Sequence, residues 1–361
     1  MRVVIAGGGT AGHVNPAIAL GLALGSASIT FIGTKVGSEA TLVPQAGFSL
    51  ETIEVKGWDR SRPWSLVSVG IGALGAIRTA KAILRRLTPD VVVGMGGYVA
   101  LPVCMAARFL RVPVVIHEQN IVLGLTNRLC RRFARKVAVS FEETLDQAGG
   151  RAVNTGNPVL PEISSMDHDV ERKNALERYH LDPARKTLLV FGGSQGAKRI
   201  NDAVAGLVDI WAERSDRQVL HIAGSAQSSS VGTPITETGL VYRPVRFVAR
   251  MEEPYAVADL ALCRGGATTV AELGAAGVPA LIVPYPFHRD KQQERHGRLL
   301  ERVGAARVIA DSETTGERVA SEADNLLADE VRLLAMRAAA HSFGRPQAAE
   351  ALARVVREVA A

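Results

Sequence analysis

A short apolar run closed by a glycine loop occurs twice in this chain. Val3 to His13 reads VVIAGGGTAGH, and Leu188 to Lys198 reads LLVFGGSQGAK. Gly8, Gly9, Thr10 and Gly12 fall into register with Gly192, Gly193, Ser194 and Gly196 at one constant offset. Each loop follows an apolar strand and precedes a helical pattern, as the first βα turn of a Rossmann-like half does. Two such halves predict an α/β chain with two parallel sheets, and 361 residues suffice for two cores.

The rest of the chain fits that division. Short apolar runs at residues 3–6, 29–32, 91–93, 114–116 and 137–139 alternate with helical segments such as 16–24 and 123–134. The alternation breaks at Gly156-Asn157-Pro158. Residues 162–183 are polar and read as a linker and a helix. Strand patterns resume at 188–191, 219–223, 240–242, 260–262 and 280–283. Residues 347–359 form a helix whose stripe is Leu352, Val355, Val356 and Val359. The net charge of +6 is too diffuse for a nucleic-acid binder, but it suits an anionic membrane surface or a phosphorylated substrate. Cys104, Cys130 and Cys263 form no CxxC pair and read as buried thiols in a reducing compartment. The start of the chain has no signal-peptide pattern. The apolar run 66–77 holds three glycines and falls short of the roughly 20 residues of a membrane span.

A glycine turn at a helix start offers N–H groups and a positive dipole end to an anion. The first loop holds G-x-G-x-x-G as Gly7, Gly9 and Gly12, but the second strand ends Ile32-Gly33-Thr34-Lys35 without an acid for a dinucleotide ribose. That disfavours a dehydrogenase, and hydroxyls at Thr10 and Ser194 favour a nucleotide-sugar. A third cluster, CRGGATTVAELGAAGVPALIVPYP from Cys263 to Pro286, sets small residues at another helix start, with Glu272 one turn in. Glu272 could accept bonds from both ribose hydroxyls, or serve only as a first-turn acid on the helix dipole. His13 stands in the first loop, where an imidazole could take up a proton near neutral pH, or serve only to hydrogen-bond a phosphate or fix the loop. The pair Asp167-His168-Asp169 reads as helix-start chemistry rather than a metal site.

Taken in order, GGTAGH (8–13), GMGGYVALP (94–102), HEQN (117–120), GLTN (124–127), GNPV (156–159), GGSQGA (192–197) and HRDKQQ (288–293) resemble the MurG family of N-acetylglucosaminyltransferases, which convert lipid I into lipid II. The resemblance spans nearly the whole chain. It implies a GT-B fold, two Rossmann-like domains whose parallel sheets face each other across a cleft. Residues 1–160 would bind acceptor and membrane, residues 161–344 would bind UDP-GlcNAc, and the helix 345–361 would pack back on the first domain. It implies inverting transfer of GlcNAc from UDP-GlcNAc to the muramyl sugar of lipid I, with no cofactor and no essential divalent metal. His13 would be the catalytic base and Glu118 its rival, although a structural carboxylate is the stronger reading of Glu118. Thr10, Ala11, Gly12, Asn120, Ser194, Gln195, Gly196, Val248, Gly266, Ala267, Thr268, Thr269, Glu272, Gln292 and Gln293 would meet UDP-GlcNAc. Gly96, Gly97, Tyr98, His117 and Asn127 would lie on the acceptor side. Ala11, Leu160 and Gly265 depart from the usual Gly, Arg and Ser, and Ala11 implies a tighter first loop.

The implied location is peripheral, on the cytoplasmic face of the bacterial plasma membrane, with other cell-wall synthesis proteins as possible partners. Trp58, Trp64, Leu66, Ile71, Leu74 and Ile77, rimmed by Arg60, Arg62, Arg78, Lys81, Arg85 and Arg86, form one candidate docking patch. Phe109 with Arg108, Arg111, Arg131 and Arg132 forms a second. The alternatives are another GT-B enzyme on a nucleotide-sugar, such as an epimerase or a glycolipid glycosyltransferase, and a non-catalytic nucleotide-sugar sensor.

Overall fold

The computed structural model describes residues 1–55, 65–193, 195–224, 239–288 and 290–361, with no side-chain description for 65–73. The chain divides into two compact units, Met1–Leu160 with Pro346–Ala361, and Pro161–Arg345.

The first unit holds seven strands: β1 (Arg2–Ala6), β2 (Ser28–Gly33), β3 (Ser49–Thr52), β4 (Val91–Gly94), β5 (Val114–Glu118), β6 (Lys136–Val139) and β7 (Ala152–Asn154). They form one parallel sheet in the order β3-β2-β1-β4-β5-β6-β7. Its helices are α1 (Ala11–Ala23), α2 (Glu39–Gln45), α3 (Ser65–Leu87), α4 (Gly97–Phe109), α5 (Leu125–Cys130) and α6 (Leu145–Ala148). Helices on both faces explain why β1, β4 and β5 read as unbroken apolar runs: Val91, Val92 and Val93 are all fully buried. The strand order reverses between β1 and β4. In open α/β sheets such a reversal, at the carboxyl ends of the strands, is where ligands bind.

The second unit repeats the plan. It carries β8 (Lys186–Phe191), β9 (Arg217–Ile222), β10 (Val241–Val245), β11 (Leu260–Cys263), β12 (Ala280–Ile282) and β13 (Ala306–Val308). All are parallel, in the order β10-β9-β8-β11-β12-β13, with the switch between β8 and β11. Around them lie α7 (Pro161–Ser164), α8 (His168–Arg178), α9 (Lys198–Ile210), α10 (Glu252–Val257), α11 (Ala267–Ala276), α12 (Gln292–Arg302), α13 (Gly316–Leu327) and α14 (Glu330–Phe343). Trp211 is buried at the end of α9, and its indole N–H donates to Asp324 at 3.2 Å. Asp167 caps α8 by accepting from Val170 N at 3.2 Å.

After α14 the chain returns to the first unit as α15 (Ala348–Ala360). Leu352, Ala353, Val355 and Val356 join the core of β1, β4 and α1, and Arg357 donates to the Ala23 carbonyl at the end of α1 at 2.7 Å. Leu352 is fully buried, so Leu352→Ala should cost about 2–5 kcal/mol, read as a lower urea midpoint.

The strands β3, β7 and β13 were absent from the sequence reading. Each is a short edge strand (SLET, AVN, ARV) with too few apolar residues to show a period. The helical reading of 123–134 contracts to α5, because Gly124 opens the helix and residues 131–133 leave it as a turn. Cys104 and Cys130, distant in sequence, meet in one core, where their mutual hydrogen bond and burial push the Cys104 thiol up.

Candidate active site

The first glycine loop is built around a carboxylate that the sequence reading missed. Glu39, at the start of α2, is buried. Its Oε2 accepts from Gly9 N at 2.8 Å, and its Oε1 accepts from Thr34 N at 2.9 Å and Thr34 Oγ1 at 2.7 Å. Burial alone would raise its pKa, but these donors outweigh it and hold the carboxyl below the usual range. A Cβ at Gly8, Gly33 or Gly37 would overlap the Glu39 side chain, so these glycines make room for it. The Gly9 amide is therefore committed to Glu39. This corrects the picture of a loop whose amides all await phosphate. An acid does follow the second strand, but it clamps the loop.

His13 lies in the first turn of α1, not inside the loop, because α1 begins at Ala11. Thr10 is its exposed N-cap and makes no side-chain cap, and Gly12 lies within the helix. The second loop differs: Gly193 and Gly196 both have positive φ, and α9 starts only at Lys198. The two loops match in residue type but not in where the helix begins. Ser194 lies outside the described residues, and Gln195 is exposed.

Around His13 the first unit gathers most of the residues expected on the acceptor side. His13 Nδ1 is 3.0 Å from Gln119 Oε1. Gln119 Nε2 donates to the Met95 carbonyl at 3.0 Å and lies 3.2 Å from His117 Nδ1, while His117 Nε2 lies 3.1 Å from the Gly156 carbonyl. His117 is fully buried, which lowers its pKa to about 4 despite the Gly156 bond. Gly96 and Gly97 open α4 with φ of 83° and 72°. A Cβ on Gly97 would stand 2.8 Å from the Gly8 carbonyl, so the loops after β1 and β4 touch through it. Tyr98 is partly exposed beside Gly9.

Glu118 is a clasp. Its Oε1 accepts from Asn120 N and Nδ2 at 3.0 and 3.1 Å. Its Oε2 accepts from Gly124 N at 2.9 Å and Asn127 Nδ2 at 2.8 Å. Asn127 also donates to the His117 carbonyl at 3.1 Å. Four donors on a carboxylate 2% exposed leave little capacity for a substrate proton.

In the second unit, a pocket of about 630 Å³ is lined by Gly192, Gly196, Arg264, Tyr285 and Gln293 among others. Arg264 is held by Asp311 at 2.6 Å and by the carbonyls of Val283 and Pro284, and its guanidinium lies 5.8 Å from the Tyr285 ring. Gly266 is the N-cap of α11, whose first turn is Ala267, Thr268 and Thr269. A Cβ on Gly265 would overlap the Gln293 carbonyl, which accounts for glycine where serine was expected. Gln293 Oε1 accepts from Tyr285 N at 2.9 Å. Gln292 donates to Asp290 at 2.6 Å and follows Lys291, which holds a φ of 48°. Val248 is partly buried beside the exposed Phe247.

Glu272 is the sixth residue of α11, so it is not a first-turn dipole acid. It is 8% exposed and accepts from Tyr255 Oη at 2.9 Å. Burial raises its pKa to about 7, with the Tyr255 bond pulling the other way. Glu272, Val248 and Gln292 do not line the 630 Å³ pocket. Gln119 stands inside the HEQN motif and Arg264 opens the third cluster, so both were within reach of the sequence. Tyr255 had no local signal.

Two units of parallel strands in the 3-2-1-4-5-6 order are the GT-B architecture. Residues 3–139 match the glycosyltransferase family 28 N-terminal domain, and residues 187–352 match the glycosyltransferase family 28 C-terminal domain. The chain belongs to glycosyltransferase family 28. Its relatives include a Nocardioides protein, 42% identical over 99% of this chain and 98% of its own length, named UDP-N-acetylglucosamine--N-acetylmuramyl-(pentapeptide) pyrophosphoryl-undecaprenol N-acetylglucosamine transferase. A Listeria welshimeri protein of the same name is 40% identical over 99% of each chain. The crystal structure of Acinetobacter baumannii MurG aligns with a TM-score of 0.75 at 27% identity, over 99% of each chain.

Proposed function

We propose that this protein transfers N-acetylglucosamine from UDP-GlcNAc to the muramyl sugar of lipid I, forming lipid II with inversion at the anomeric carbon. The observation that carries this reading is His13, half-buried at the switch point of the first unit with its Nδ1 tied inward to Gln119. The first unit, through Gly96, Gly97, Tyr98, His117 and Asn127, holds the acceptor. The second holds UDP-GlcNAc, with Glu272 on the ribose, the Gly193–Gly196 loop and the start of α11 on the diphosphate, Val248 on the base and Gln292 or Gln293 on the sugar. Thr10, Ala11, Gly12 and Asn120 complete the sites from the first unit.

His13 Nε2 removes the proton from the acceptor hydroxyl as its oxygen bonds to the anomeric carbon. The bond from that carbon to the diphosphate breaks, UDP departs with the electron pair, and the imidazolium later gives its proton to water. The transition state has oxocarbenium character, with negative charge growing on UDP. The N-terminus of α11 and Arg264 are suited to meet that charge without a metal. The four donors on Glu118 favour His13 over it as the base.

Reaching a polyprenyl-linked acceptor requires a bilayer surface. No helix among the described residues is long and apolar enough to cross a membrane. We place the protein peripherally on the cytoplasmic face, bound to anionic lipid. Trp58, Arg60, Arg62 and Trp64 lie outside the described residues, as do the side chains of Leu66 and Ile71. Of the rest, Leu74 is exposed, whereas Ile77 packs on the core of the unit. Lys81 Nζ lies 6.0 Å from the exposed Phe109 ring, so the two candidate patches meet there. Beside them Arg108, Arg111, Arg132, Arg135, Lys136 and Arg151 line a pocket of about 980 Å³, which supports attraction to anionic headgroups.

The test is transfer of labelled N-acetylglucosamine from UDP-GlcNAc to a short-chain lipid I analogue, with EDTA present. Transfer undiminished by EDTA is expected. Binding of UDP-GlcNAc without transfer would replace this reading with the sensor, and loss of activity in EDTA restored by a divalent ion would overturn the metal-free mechanism.

A further inference from the structure

The hydrogen bonds behind His13 have only one consistent direction. The carbonyls of Met95 and Gly156 can only accept. Met95 O therefore requires the amide nitrogen of Gln119, at 3.0 Å, which turns Gln119 Oε1 toward His13. Gly156 O requires the proton of His117 on Nε2, which leaves His117 Nδ1 bare to accept the second amide hydrogen of Gln119 at 3.2 Å. Gln119 Oε1 is an acceptor, so the proton of neutral His13 must sit on Nδ1. His13 Nε2 then carries the lone pair, and it has no hydrogen-bond partner among the described residues. The neutrality of buried His117 keeps the chain from running in reverse.

We propose that Gln119 is a positioning residue that holds His13 in the Nδ1–H tautomer, anchored by the main-chain carbonyls of Met95 and Gly156 through His117. The role rests on the reading of His13 as the base. A base must present its lone pair to the acceptor hydroxyl, and which ring nitrogen does so is set by the bond at the other nitrogen. When His13 takes the acceptor proton on Nε2, Gln119 Oε1 keeps its bond to Nδ1–H and shares the new positive charge. Gly96 lets the ring sit here: a Cβ on it would stand 3.5 Å from both His13 Cε1 and Gln119 Oε1. Glu118, the neighbouring acid, is turned away and saturated by its own four donors.

The experiment is nitrogen-15 NMR of the His13 imidazole in the full-length protein at a pH where the ring is neutral, with Gln119→Met and Gln119→Glu beside wild type. In wild type, Nδ1 should give the protonated and Nε2 the bare signal. In Gln119→Met, which keeps length but loses the acceptor, the two signals should move toward averaging. Its kcat for transfer should fall by roughly 10- to 100-fold, part of the ~10²–10⁴-fold of a general base, with UDP affinity unchanged. Gln119→Glu keeps an acceptor for Nδ1–H but loses the donor to Met95 O and His117 Nδ1, so it should recover the Nδ1–H signal only in part. A wild-type spectrum with the proton on Nε2 overturns the proposal by itself, even if a variant fails to fold. So does Gln119→Met with an unchanged tautomer, or with a changed tautomer and full kcat. Failure of the underlying reading is distinct: His13→Ala would then keep its activity.

Discussion

His13→Ala should lower kcat for N-acetylglucosamine transfer by roughly 10²–10⁴-fold, the range a positioned general base supplies, while leaving UDP binding unchanged. Binding is expected to survive because the residues proposed for the base, the ribose and the diphosphate, Val248, Glu272 and the start of α11, belong to the second unit, and His13 belongs to the first. The substitution is structurally mild. Alanine is a good helix former, His13 is half-buried in the first turn of α1, and among the described residues its one side-chain bond is to Gln119. Losing a catalytic proton acceptor should therefore show in kcat and not in the melting temperature. Steady-state kinetics with a lipid I analogue, alongside calorimetric UDP binding, checks this. Retention of most activity would remove His13 as the base.

Glu272→Ala should weaken UDP binding by roughly 10- to 150-fold, because one charge-assisted hydrogen bond contributes about 1.5–3 kcal/mol. The same carboxylate predicts a pH dependence. Its pKa is raised to about 7, mainly by burial. Between about 4.5 and 7 the unliganded folded protein holds a proton on Glu272 that the unfolded chain releases. The contribution of Glu272 to stability therefore falls as pH rises through that window, by about 3 kcal/mol, against the opposite slope of buried His117, His221 and His296, whose pKa is lowered to about 4. Ribose hydroxyls are accepted best by the ionised form, so UDP affinity should rise over the same range. Glu272→Gln removes this titration, so in urea melts at pH 5 and 8 the wild type should lose stability relative to Glu272→Gln as pH rises, and the rise in UDP affinity should be absent in the variant. A wild type and variant with the same pH dependence in both would refute the assignment of Glu272.

The strand–glycine–helix recurrence identified two Rossmann-like halves because β1, β4, β8 and β11 are buried on both faces beyond their first residues and are apolar there. Edge strands such as β3 and β13 carry no such demand and stayed invisible. The α15 stripe was readable for the same reason as the central strands: Leu352 and Val356 repeat every fourth residue and face one core.

By itself, then, the sequence determined the fold class, the family and the identity of the short motifs, since these rest on local periodicity and local residue type. Only the tertiary structure decided what the motif residues do. Glu39 reaches Gly9 across 30 positions, Gln119 reaches His13 across 106, and Tyr255 reaches Glu272 across 17. Hydrogen bonds between elements that are neighbours only in the sheet leave no spacing in the chain. They nonetheless make Glu39 a clamp on the glycine loop and tie His13 Nδ1 inward to Gln119.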